Sequence, residues 1–260
     1  MSEREAIVSE QVEALEARLP FRFPREMLVA LLILAVAWQI ASIFVPPFII
    51  PGWQRILKSV LALRLDFVLV TLARVMAALV ISFAVGLGLA IAMYLSGAVE
   101  RYGRPIVRLL MAVPVVCWIL FAVLWFKWVE FRISFVLVVV CAPVFLVDVL
   151  DGMKGVSKDL RDMLRSFRPT RVQLFTKLVL PATLPAMLTS WKINLSLAIR
   201  VVTIAELVGA VTGIGYGLVV AQELFSVAEV FAWTLILVVL LFAAEAVLTR
   251  VEDRVLRWRV

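Results

Sequence analysis

Six long apolar blocks decide what this 260-residue chain can become. They lie near 27–45, 67–94, 106–126, 133–150, 182–210 and 230–248. A helix needs about 20 mostly apolar residues to cross about 30 Å of hydrocarbon, and each block meets that, the fourth at the lower limit. Lipid offers no partner to backbone amides, so spanning segments satisfy them internally as helices. Hydrophobic residues make up 64% of the chain and charged ones 17%, against about 45–50% and 25% in soluble domains. A compact water-soluble enzyme is thereby excluded. The expected fold is an all-α integral membrane protein with six transmembrane helices. Its parts are an amphipathic cytoplasmic segment over 1–26, a transmembrane domain over 27–250 and a cytoplasmic tail over 251–260.

The basic residues orient these spans. Eighteen Lys and Arg fall in the N-terminal segment, the second and fourth loops and the C-terminus, and five in the remaining loops. Basic loops stay in the cytoplasm. Both termini and the fourth loop therefore face inward, as in a multi-pass protein of the bacterial inner membrane. The net charge of +7 belongs to these loops and the lipid surface, not to nucleic acid. Val8, Val12, Leu15 and Leu19 recur at helical spacing, which predicts a helix on the membrane surface. The proline-punctuated loop over 46–65 predicts a turn and a short helix on the outer face. With no histidine, no His-based catalysis or metal site is available. Cys117 and Cys141 lie in apolar blocks and read as buried thiols. No phosphate-binding G-x-x-x-x-G-K-[ST] segment occurs, and no cofactor site is expected in the chain.

The only long polar stretch between spans is 151–180, which is basic and closes on Pro181. A bare connection needs only a few residues, so 30 predict a folded element: a docking surface for a cytoplasmic partner, or a helix resting on anionic lipid. The stretch resembles the coupling motif of binding-protein-dependent ABC importer permeases. That family's Glu falls on Asp162, its two alanines on Met163 and Leu164, its Gly on Arg168 and its closing Pro on Pro181; Gln173, Leu174 and Phe175 stand unchanged. Thr71, Arg74 and Gly86, then Arg104, Pro105 and Pro114, then Ala205, Glu206 and Leu207, extend the resemblance. So do Gly213, Gly215 and Gly217, read as an outer turn, and Arg254, Arg257 and Trp258. It covers roughly 40–260 and is nearest the nitrate, sulfonate and taurine group.

The resemblance implies a type I importer fold with a cytoplasmic coupling helix between helices 4 and 5, in the segment 151–181. Asp162, Met163, Leu164, Ser166, Phe167, Arg168 and Gln173 would couple to the ATPase. Two copies of that ATPase would carry ATP and Mg. A second permease, a second copy of this chain rather than a different one, and a periplasmic solute-binding protein would complete the assembly. Arg168 followed by Pro169 departs from the family Gly. Proline still breaks a helix, but Arg lacks the φ > 0 freedom of Gly.

Charges inside an apolar span are costly and mark pathways. In the fifth block Lys192, Ser196, Arg200 and Thr203 fall at spacings of 4, 4 and 3, so they share a helix face. That cationic face would ease passage of a small anion. The competing reading has Lys192 snorkelling to the interface and Arg200 paired with a carboxylate. Glu206 is assigned to a gate or to the fold core, with a partner on another helix. A rival function is an ATP-independent transporter or ion channel. Thr212–Gly217 resembles a selectivity filter, but it follows a charged span directly rather than a pore helix, so its glycines read as permitting φ > 0 and close helix approach. An integral membrane enzyme is the third, and lacks a polar cluster at one depth.

Overall fold

The computed structural model describes residues 25–167 and 169–257. The amphipathic helix expected from Val8, Val12, Leu15 and Leu19, and the residues Arg168, Trp258 and Arg259, lie outside the described residues. The chain divides into two units, Met1–Gln54 and Arg55–Val260.

In the first unit, α1 (Arg25–Phe44) is 20 residues long, which at 1.5 Å per residue gives about 30 Å. The chain then folds back on it. Trp38 Nε1 donates to the Pro51 carbonyl and Trp53 Nε1 to that of Ala35, both at 3.0 Å. The indoles thus satisfy their N–H groups while their rings remain apolar.

The second unit carries the rest of α2 (Trp53–Ala62), the short helix expected in the 46–65 loop. It continues with α3 (Leu65–Leu95), α4 (Gly97–Ala112), α5 (Val115–Trp125), α6 (Val129–Lys154) and α7 (Lys158–Arg165). The remaining helices are α8 (Arg171–Leu174), α9 (Leu180–Leu207), α10 (Ile214–Glu223) and α11 (Val227–Val255). A π-turn at Phe175–Val179 fuses α8 to α9 into one helix over Val172–Leu207. Pro181 follows it with one residue, Leu180, between. Proline donates no backbone hydrogen bond and its ring crowds the carbonyl four residues back, so the preceding turn widens.

Among the described residues, four helices are long and apolar enough to cross a membrane: α3, α6, the fused Val172–Leu207 and α11. The block 106–126, expected as one span, is broken. α4 and α5 meet at 91°, because Val113 is extended (φ −75°, ψ 124°) before Pro114, the conformation that proline imposes on its predecessor.

The core is built on α3 and α6. Val75, Ala78 and Leu79 of α3 pack with Leu137, Cys141 and Phe145 of α6, and with Leu195, Ala198 and Val202 of α9. A second cluster joins Met93, Val107, Leu150 and Met153, so α4 lies across the adjoining ends of α3 and α6. Cys141 is buried as expected, while Cys117 is half-buried; both are free. Gly86 allows the close approach of α3 to α6. A Cβ there would lie 2.7 Å from Phe145 Cβ and 2.8 Å from the Ala142 carbonyl oxygen. Gly86→Val is expected to force these helices apart and cost about 1–3 kcal/mol, read as a lowered melting temperature in mild detergent.

Candidate functional site

Two regions collect the residues singled out in the sequence. The first is α7 and its flanks. Ser157 caps α7, accepting from Leu160 N at 3.4 Å, and satisfies one of the free amides of a helix start. Arg161 then ties α7 to the end of α6, donating through Nη2 to the carbonyls of Met153 (2.9 Å) and Lys154 (3.3 Å). These are last-turn carbonyls with no partner inside the helix. Lys154 and Arg104 also converge on Glu100, so α4, α6 and α7 are held at one end of the bundle.

One strip of this segment's exposed surface is apolar, beside the exposed Lys158, Asp159 and Asp162. Leu160 and Met163 are exposed, and Phe167 is 77% exposed. Asp162 is exposed and Leu164 half-buried. Ser166 Oγ turns back to donate to the Met163 carbonyl at 2.6 Å, closing the helix. Gln173 has a local role that the motif concealed. Its Oε1 accepts from Thr170 N (2.9 Å) while its own N donates to Thr170 Oγ1 (3.2 Å). This is the reciprocal capping box of a Thr-x-x-Gln start, and it launches α8 directly after Pro169.

The second region lies in the apolar part of the bundle. Arg74 on α3 is 7% exposed and Glu206 on α9 is fully buried. Arg74 Nη1 donates to Glu206 Oε1 and to the Thr212 carbonyl, each at 2.7 Å. Its Nη2 reaches Thr212 Oγ1 at 3.0 Å and Glu130 Oε1 at 2.5 Å, and Nε reaches Glu130 Oε2 at 2.8 Å. All five guanidinium N–H donors are therefore engaged. Glu206 further accepts from Thr71 Oγ1 (2.9 Å) and from Gly215 N (2.9 Å), and Thr71 Oγ1 accepts from Ile214 N (2.9 Å). The start of α10 thus points one free amide, Gly215 N, at this carboxylate and a second, Ile214 N, at its hydroxyl partner Thr71, the arrangement a helix dipole favours. Gly213 and Gly215 make room for it. Gly213 has φ +110°, and a Cβ on it would overlap the Glu206 carboxylate. Residues 213–217, read as an outer turn in the sequence, are instead buried or half-buried and begin a helix.

The cationic face of α9 separates in the structure. Lys192 pairs with Glu252 of α11. Thr203 is buried and donates to the Ile199 carbonyl at 2.7 Å. Ser196 is half-buried and Arg200 exposed; Arg200 Nη2 donates to Ser196 Oγ at 3.2 Å and makes no ion pair among the described residues. On the other side of α9, Ser190 Oγ donates to Asp148 Oδ2 at 2.6 Å and Asn194 Nδ2 to the Ser190 carbonyl at 3.0 Å. Asn194 Oδ1 is buried without a partner among the described residues. Sequence reasoning passed over this polar group, although Asp148 is a charge inside the fourth apolar block. It also passed over Glu130 and Glu252.

The family of binding-protein-dependent transport system inner membrane components matches residues 84–257. The taurine transport system permease protein TauC of Escherichia coli (strain K12) is 28% identical over 259 residues, 93% of this chain and 94% of that protein. The formylaminopyrimidine transport permease protein ThiX of Halalkalibacterium halodurans is 27% identical over 234 residues, 88% of this chain and 93% of that protein. Among solved structures, an inward-facing MetNI methionine ABC transporter aligns at a TM-score of 0.67 and 18% identity. That alignment covers 74% of this chain and 95% of the other, which speaks for the fold alone.

Proposed function

The chain belongs to the family of binding-protein-dependent transport system inner membrane components, an ABC importer permease near the nitrate, sulfonate and taurine group; from that we propose that it forms the translocation path for a small anion, driven by a cytoplasmic ATPase. In this reading α1 and the bent pair α4–α5 complete six spans, and both termini and α7 face the cytoplasm. A periplasmic protein delivers the solute, and two copies of this chain pair with two ATPase subunits that hold ATP and Mg.

The carrying observation is the exposed apolar strip of Leu160 and Met163 on α7, continued by Phe167 just past its end. A short polar-flanked helix presenting Leu160, Met163 and Phe167 away from its own core is built to enter a groove on a partner. Arg161, gripping the end of α6, would pass a push on α7 into the spans. Closure of the ATPase dimer around ATP would supply that push and move residues 155–176, reorienting the spans to alternate access. Asp162, Met163, Leu164, Ser166, Phe167, Arg168 and Gln173 form or shape the contact. Ser196 and Arg200 would face the path, since an exposed guanidinium at membrane depth needs water beside it, while Lys192 and Thr203 flank it. Glu206, locked by Arg74, would close one end as a gate.

Phe167→Ala combined with Asp162→Arg is expected to abolish co-purification with the cognate ATPase and ATP-driven uptake, leaving the fold intact. Uptake by the double variant at the wild-type rate would remove the coupling role. Loss of uptake with the complex preserved would move the defect to a later step.

A further inference from the structure

At the end of the bundle opposite α7, a cavity of about 550 Å³ opens between α2, the start of α3, α10 and α11. This size is ordinary for a small-molecule site. Its walls combine three kinds of side chain. Phe67, Tyr216 and Trp233 make an aromatic side, with Phe67 stacked on Trp233 (6.0 Å between ring centroids) and edge-on to Tyr216 (5.8 Å). Lys58 and Arg64 are its cations and Glu229 its carboxylate.

The charges are unequally committed. Arg64 is held in a fork by Asp66, at 2.6 and 3.2 Å, with its guanidinium 4.7 Å above the Phe67 ring. Lys58 and Glu229 make no ion pair among the described residues. The free charge of the cavity is thus one positive and one negative group, on different helices. The Trp233 indole is only 4% exposed, yet its N–H makes no hydrogen bond among the described residues. Gly217 is what lets that indole lie flat against α10, because a Cβ there would come within 2.5 Å of Trp233 Cε2. The N–H itself is not sealed from solvent, and Trp233 lines the cavity, where a ligand can accept from it.

A lone anion would meet Glu229 and a lone cation would meet Lys58. A molecule carrying both charges satisfies both. We infer that this cavity binds a small zwitterion, a phosphoryl anion joined by a short chain to an ammonium. The anion takes Lys58, with Arg64 at its edge and the Trp233 N–H as a neutral donor. The ammonium takes Glu229 and the faces of the aromatic residues, as cations do over aromatic rings. Such a group could come from solution or from an ethanolamine phospholipid, whose headgroup sits at the depth where Trp, Tyr and Lys collect. None of these residues belongs to α7 or to the Arg74–Glu206 cluster, so the site stands apart from the coupling reading.

Calorimetric titration of the full chain in mild detergent tests this. The probes are O-phosphoethanolamine, inorganic phosphate, ethanolamine and dihexanoyl phosphatidylethanolamine. O-phosphoethanolamine or the short-chain lipid is expected to bind at least about tenfold more tightly than phosphate or ethanolamine, because only they engage both charges. Glu229→Gln and Lys58→Gln should each weaken that binding about tenfold while melting as the wild type does. Binding of the lipid alone assigns a headgroup site; binding of both assigns a site open to solutes. Equal binding of phosphate, unaltered binding by the two variants, or no binding by any probe overturns the inference.

Discussion

Arg74→Ala is expected to destabilise the protein by about 3–5 kcal/mol, the cost of leaving a buried carboxylate without its cation. Glu206 is fully buried, and Arg74 is its only ion-pair partner among the described residues. The substitution also deprives the Thr212 carbonyl and hydroxyl of their donor, and releases Glu130, whose side chain is largely exposed and can turn to water. Arg74→Lys should recover only a fraction, because an ammonium cannot send five fixed N–H groups to three acceptor residues. Glu206→Gln is the informative partner. An amide oxygen still accepts from Thr71 and Gly215, and Arg74 keeps Glu130. In the Arg74→Ala background the same change should recover most of the lost stability, since the buried charge is then gone. Melting of the four proteins in mild detergent gives the coupling energy directly. Arg74→Ala melting within a degree or two of wild type would show that the cluster does not hold α3, α6 and α9 together.

Much of the architecture was legible because membrane spans announce themselves by length and polarity alone. Blocks 67–94, 133–150, 182–210 and 230–248 became α3, α6, α9 and α11 with ends shifted by a few residues. The kink in the block 106–126 was readable in principle from Pro114, but apolar content masks a break in direction. The ionic cluster was legible only in part. Glu206 could be assigned a partner on another helix, because a charge in an apolar span demands one. That its partner is Arg74, 132 residues earlier, depends on the packing of α3 against α9, which no local pattern encodes. Lys192 shows the same limit from the other side. Its spacing with Ser196 and Arg200 put it on one face, but Glu252, 60 residues later, engages it. Gln173 hid a second role. Thr170 and Gln173 spell a capping box at sequence level, and the motif around them drew the eye to coupling instead.

The same glycine-to-alanine change should have opposite effects at two positions. Gly215→Ala adds one methyl group at the first turn of α10. That Cβ would overlap the Thr203 carbonyl oxygen and lie 2.5 Å from Glu206 Cβ and 3.1 Å from Leu207 N. Two of these are backbone atoms of α9 and cannot rotate away, so α10 must lift. Overpacking of this kind costs about 1–3 kcal/mol. Lifting α10 also breaks the bond from Gly215 N to Glu206 Oε2 and strains that from Ile214 N to Thr71. A hydrogen bond to a charged group contributes about 1.5–3 kcal/mol more. Gly88 lies within α3 with no atom within 4 Å of a Cβ built on it. There alanine meets no clash and gains about 0.8–1 kcal/mol of helix propensity. The expected result is a melting temperature clearly below wild type for Gly215→Ala and at or slightly above it for Gly88→Ala. Glu206→Gln should not rescue Gly215→Ala, because the collision is with the backbone of α9 and the Cβ of residue 206 rather than with the carboxylate. Rescue by that change would mean that electrostatics, not the steric fit of the glycine, seats α10 on α9.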